Sequence, residues 1–149
     1  MKTKTARTTL ILLLAFLGLG AIFGGAILIV SPSGKLFGMP LSMLANSPFN
    51  DFLIPGIFLF FVLGVAPILL IIALIKRPAS VLAERFNCFG DMHWYWSYCI
   101  YIALALILWI QIEMIFLQAI SWLHTLYMLL ALVIIFVTLL PPVRKLYKK

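Results

Sequence analysis

The sequence predicts an all-α polytopic membrane protein, with four transmembrane helices in an up-down bundle and both termini cytoplasmic. Three observations carry that prediction. First, the 149 residues are 65% hydrophobic and 10% charged, against about 45–50% apolar and about 25% charged for a soluble domain. A soluble fold of this size has no interior large enough to hide that much apolar surface. Second, the apolar residues form uninterrupted runs of membrane-spanning length. Third, the 11 Lys and Arg residues fall almost entirely on one side of those runs.

Residues 10–30 carry no charge over 21 positions, about the 20 residues needed to cross a hydrocarbon core of about 30 Å. With the polar start included, the first helix is expected over about 8–30. Its basic beginning also fits a secretory signal, but the apolar run is longer than the usual 7–15 residues of such a signal. A retained helix is therefore expected. Residues 52–75 are likewise uncharged, and the second helix is expected over about 51–75. The stretch 94–140 spans 47 residues and is broken only by Glu113 and His124. At about 1.5 Å per residue it is too long for one crossing. It reads as a hairpin of helices at about 94–116 and 121–140, turning near 117–121. Membrane barrels need eight or more strands of alternating polarity, and these runs are continuously apolar, as helices in lipid are.

The outer loop, 31–50, starts with the turn residues Ser31-Pro32-Ser33-Gly34. Pro40 is placed to start a short helix ending near Asn46, and Ser47-Pro48 reads as an N-cap and first residue of the second helix. Asp51 then falls in the first turn, favourable against the helix dipole. The inner loop, 76–93, sets Val81, Leu82, Arg85, Phe86 and Phe89 at helical spacing, as in an interfacial amphipathic helix. The aromatic run Trp94-Tyr95-Trp96 fits a belt at the membrane–water boundary. Ten basic residues lie before the first helix, between the second and third, and after the fourth, and only Lys35 lies opposite. By the positive-inside rule the ten face the cytoplasm. The net charge of +7 therefore reports topology and attraction to anionic lipid headgroups, not nucleic-acid binding. No repeat or polar linker divides the chain, so residues 1–149 form one domain.

Little in the sequence carries chemistry. Gly20 and Gly24, and Ala21 and Gly25, stand four apart, a spacing that lets membrane helices approach closely. That packing admits a homo-oligomer or a membrane-protein partner. Pro55, Pro67, Gly56 and Gly64 loosen the second helix, as in broken helices that line transport sites. No ionisable residue falls at mid-membrane depth, which argues against coupled transport. His93 and His124 belong to opposite ends of the bundle and cannot share a haem or a metal. Cys88 and Cys99 are not spaced as a redox pair. No cofactor or catalytic residue is expected. One polar constellation remains, at the outer end: Asp51, Gln111, Glu113, Gln118 and His124.

The segments Pro32-Ser33-Gly34, Gly38-Met39-Pro40-Leu41-Ser42 and Ser47-Pro48-Phe49-Asn50-Asp51-Phe52-Leu53-Ile54-Pro55-Gly56 resemble a pattern in small uncharacterised bacterial four-helix membrane proteins. The resemblance covers about a sixth of the chain. It implies the same topology in a bacterial inner membrane and implies no activity. The expected role is non-enzymatic, accessory or lipid-interacting, with membrane lipids as partners. The alternatives are a transporter or channel subunit using the kinked second helix and the outer polar cluster, and a membrane enzyme acting on a lipid-linked substrate. The enzyme alternative requires Glu113, His124 and Asp51 to converge on one pocket.

Overall fold

The first helix, α1, spans Thr3–Val30. A computed structural model of the chain describes residues 2–149. Following α1 come two short 3-10 turns, Lys35–Phe37 and Leu41–Leu44. The second span, Leu53–Lys76, is divided into α2, Leu53–Phe60, a π-turn, Phe61–Val65, and α3, Ala66–Lys76. A single turn, α4, Val81–Arg85, leads into α5, Trp94–Leu117. Then follow α6, Trp122–Leu139, and α7, Pro141–Leu146. Among the described residues there is no strand. Four helices are long and apolar enough to cross a membrane: α1, the α2–α3 span, α5 and α6. They pack in a ring, α1 on α2–α3, α3 on α5, α5 on α6, and α6 back on α1.

Only 17% to 33% of the apolar window of each span is buried inside the protein. Leu19, Phe23, Leu69, Leu108 and Phe136 are each at least 60% exposed. In water that girdle of large apolar side chains would drive aggregation, and in lipid it is the natural outer surface. The interior is a continuous cluster that includes Leu10, Leu14, Leu63, Leu74, Ala103 and Ile134.

The small residues of α1 act within the chain. A Cβ on Gly25 would come 2.6 Å from the Phe60 backbone nitrogen and 2.8 Å from the Gly56 carbonyl oxygen. Gly18 is less tightly held, a Cβ there meeting the Gly64 carbonyl oxygen at 3.0 Å and the end of the Ile68 side chain at 2.8 Å. Gly56 and Gly64 are thus the other half of the crossing, and Gly64 also lies in the π-turn of the second span. Ala21 is buried between these contacts. Gly24 has ordinary room beside Leu59, and Gly20 faces the Tyr127 hydroxyl of α6. Of the four residues picked out by spacing, Ala21 and Gly25 lie in the crossing with α2–α3, and Gly18 completes it. Without a hydrophobic driving force between helices in lipid, such backbone contact is the main source of association.

The two prolines differ in effect. Pro55 is the third residue of α2, where the N–H has no helical partner to lose, so it removes nothing. Pro67 lies inside the span, and the π-turn immediately before it widens the helix by one residue where the ring would meet a carbonyl.

Several boundaries move from their expected places. α1 begins at Thr3, about a turn early. The second span starts at Leu53, not at Ser47-Pro48. Ser47 instead accepts from the Phe49 N–H and donates to the Leu44 carbonyl, closing a local turn. The outer segment is held by the Phe52 N–H donating to the Pro32 carbonyl and by a small apolar cluster of Leu28, Leu44 and Phe52. Gln118 ends α5 in the left-handed conformation, its side-chain amide donating to the Ile115 carbonyl.

Candidate functional site

The outer polar residues do not form one cluster. Asp51 turns back on its own chain and accepts from the Leu53 N–H at 2.9 Å. That satisfies a free donor at the start of α2, as an acidic residue at a helix N-terminus does. Gln111 is exposed on α5, and Gln118 is spent on the α5 terminus. Only Glu113 and His124 meet, with His124 Nε2 3.9 Å from Glu113 Oε2. The His124 ring is fixed because Nδ1 accepts from the Ser121 N–H at 3.1 Å. A neutral ring so held carries its proton on Nε2, toward Glu113. The sequence places His124 near the outer boundary, yet the ring packs inward and the residue is only 9% exposed. The three residues required by a lipid-linked enzyme therefore do not converge.

Glu113 does line a recess of about 50 Å³, together with Leu28, Leu44, Phe52, Trp109 and Phe116. The Trp109 ring stacks on Phe58 with centroids 4.7 Å apart. Its indole nitrogen is buried, with the Glu113 carboxyl beside it.

The opposite end holds a denser polar network, centred on Glu84. Ser80 caps α4 by accepting from the Ala83 N–H, which brings Glu84 round toward the start of α5. Glu84 Oε1 accepts from the Trp94 N–H at 3.1 Å, so a carboxylate from one helix caps another. Glu84 Oε2 accepts from Asn87 Nδ2 at 2.9 Å and from Lys149 Nζ at 2.8 Å. Asn87 also donates to the Met92 carbonyl and accepts from the Ser97 hydroxyl. His93 Nδ1 lies 3.7 Å from Glu84 Oε1.

Residues 147–149 are fastened to the same place. The Lys149 N–H donates to the Asp91 carbonyl and the His93 N–H donates to the Tyr147 carbonyl. The Tyr147 hydroxyl donates to the Leu74 carbonyl, and Arg77 lies over the Tyr147 ring at 5.3 Å. Burial pushes the Tyr147 hydroxyl above its ordinary pKa. Beside this network opens a cleft of about 440 Å³, lined among others by Arg77, Ser80, Glu84, His93, Trp94 and Lys149.

The aromatic run splits by depth. The Trp94 indole donates to the Pro78 carbonyl at the surface. Tyr95 and Trp96 are core residues at 3% and 1% exposure, and the Trp96 indole donates to the Thr138 carbonyl of α6. The belt expected from the sequence is thus reduced to Trp94, and the hydrogen bond to α6 is what draws Trp96 inward. The single turn of α4 leaves Val81, Leu82 and Phe86 outward. Cys88 is exposed and Cys99 buried, both as free thiols. Among the described residues no three His, Cys, Asp or Glu side chains come together in a metal-holding group. No protein-family model matches the chain, and neither curated proteins nor solved structures yield a match.

Proposed function

We propose that this chain is a small multi-pass protein of a bacterial inner membrane. In this reading the four spans run up and down, both ends of the sequence face the cytoplasm, and the role is non-enzymatic and lipid-interacting. The observation that carries it is the cleft of about 440 Å³ at the end where ten of the eleven basic residues gather. Arg77 offers a planar fork that suits a phosphate. Lys149 lines the same cleft with its ammonium paired to Glu84, and Ser80 retains a free hydroxyl proton because its oxygen is used as an acceptor. Val81 and Leu82, 91% and 69% exposed, sit beside the cleft and suit the boundary between headgroups and acyl chains. The ligand class is therefore an anionic phospholipid headgroup on the cytoplasmic leaflet.

The test is native mass spectrometry of the protein released from bilayers of phosphatidylethanolamine and phosphatidylglycerol. Phosphatidylglycerol is expected to stay bound in preference. Arg77→Gln spares every Glu84 contact and is expected to weaken that retention about fivefold, since one basic residue near an anionic surface is worth about 1 kcal/mol. Equal retention of both lipids, or an unchanged Arg77→Gln variant, contradicts the reading.

A further inference from the structure

We propose that residues 147–149 act as a strap on the basic cleft, fastened when the phosphate of a bound headgroup bridges Arg77 and Lys149. This inference rests on the lipid reading of that cleft and adds what occupancy does to the chain. Arg77 is exposed at the end of α3, lines the cleft and lies over the Tyr147 ring. Lys149 reaches the same cleft through an antiparallel bridge, in which Met92 pairs with Lys148 and the Lys149 N–H donates to the Asp91 carbonyl. An ammonium has three donors. The Glu84 carboxylate takes one of them at 2.8 Å, and the Lys149 side chain stays 40% exposed. Donors therefore remain for an anion that leaves the Glu84 pair in place.

The sign of the effect follows from this geometry. A phosphate that had to take Lys149 away from Glu84 would loosen the segment. A phosphate that shares the ammonium with Glu84 adds a tie between the segment and α3 and breaks none. Arg77 and Lys149 outnumber Glu84 among the charged groups of the cleft, so an anion is drawn in. The remaining ties of the segment are neutral and set where Lys149 stands. Tyr147 is fully buried, its hydroxyl donates to the Leu74 carbonyl, and its own carbonyl accepts from the His93 N–H. Linkage makes the coupling mutual: a segment fastened by the headgroup also holds the headgroup.

The test follows tryptic cleavage after Lys148, with cleavage after Lys4 in the same sample as the reference. The full chain is placed in nanodiscs of phosphatidylcholine, alone or mixed with phosphatidylglycerol. Phosphatidylglycerol is expected to slow relative cleavage after Lys148 about fivefold, the change that one basic residue engaging an anionic headgroup gives. Glycerol 3-phosphate, added to the phosphatidylcholine discs, carries the same phosphate without acyl chains. Protection by either upholds the strap, and comparing the two tells a lipid from a soluble ligand. Lys149→Met keeps a side chain of similar length and every other basic residue, and removes only the ammonium. It is expected to be cleaved equally in both discs, whereas general adsorption of a basic segment to an anionic surface would persist in it. Slowing that survives Lys149→Met, or a parent protein that neither ligand slows, overturns the proposal. Phosphatidylglycerol retained in native mass spectra with cleavage unchanged overturns the strap alone, and loss of selective retention removes the cleft reading as well.

Discussion

Gly25→Ala is expected to lower the stability of the bundle by about 1–3 kcal/mol, the usual cost of forcing a methyl into a full contact. The new Cβ would lie 2.6 Å from the Phe60 nitrogen and 2.8 Å from both the Gly56 oxygen and the Phe60 Cα. All three are backbone atoms, so relief requires moving α1 away from α2 as a unit. The gain in helix propensity, about 1 kcal/mol for Gly to Ala, offsets only part of this. The readout is thermal unfolding in detergent, followed by the reactivity of Cys99, which is fully buried in the folded protein. Gly24→Ala is the control, because its Cβ would sit 3.4 Å from a Leu59 side-chain carbon, an ordinary contact. It is expected to be neutral or slightly stabilising. Equal losses at Gly24 and Gly25 would contradict a close crossing of α1 and α2 at Gly25.

Glu84→Gln has the second large expected effect, about 1.5–3 kcal/mol, the range for hydrogen bonds to a charged group. Glutamine keeps one acceptor oxygen and turns an NH₂ toward groups that themselves donate. Either Asn87 Nδ2 and Lys149 Nζ together, or the Trp94 N–H, then lose their acceptor, and in both orientations the Lys149 ammonium loses its charged partner. The expected local result is release of residues 147–149, seen as faster tryptic cleavage after Lys145 and Lys148. In the parent protein, burial opposes ionisation of Glu84. The Asn87 amide, the Lys149 ammonium and the Trp94 N–H outweigh it and hold the carboxyl at about 2, below its ordinary 4.5. A depressed carboxyl pKa stabilises the fold above the ordinary value and loses that contribution as pH falls. Tail release in the parent is therefore expected as pH drops from about 4.5 toward about 2, and the Glu84→Gln variant should lack that step. A tail equally resistant in both proteins at neutral pH would contradict this role for Glu84.

The spans are legible in the sequence because their cause is local. An uncharged run of about 20 residues has one stable form in lipid, and all four appear within a few residues of their expected bounds. The hairpin turn is legible from polarity alone, although Gln118, not glycine, takes the left-handed position. What the sequence hides depends on partners far apart along the chain. Glu84 reads as an ordinary loop acid, yet its partner Lys149 is 65 positions away. Trp96 reads as a belt residue until the Thr138 carbonyl, 42 positions on, is placed against it. Gly18 stands outside the four-residue spacing that singles out its neighbours, and its role emerges only against Gly64. Asp51, Gln111 and Gln118 share a level in the sequence reading, but each is committed locally or turned outward. The recess at Trp109 and Glu113 carries one signal in the sequence, a Trp and a Glu four apart on one helix face.

The lipid reading of the basic cleft rests on which end of the bundle faces the cytoplasm, and the two native cysteines provide a direct measurement. Cys88 is exposed at the basic end, whereas Cys99 is buried and silent. A membrane-impermeant maleimide is applied to intact cells and to inverted membrane vesicles. Cys88 is expected to react only in inverted vesicles. In an Asn46→Cys, Cys88→Ser variant the new thiol is expected to react only in intact cells. Labelling of Cys88 in intact cells would place the basic end outside and contradict the account.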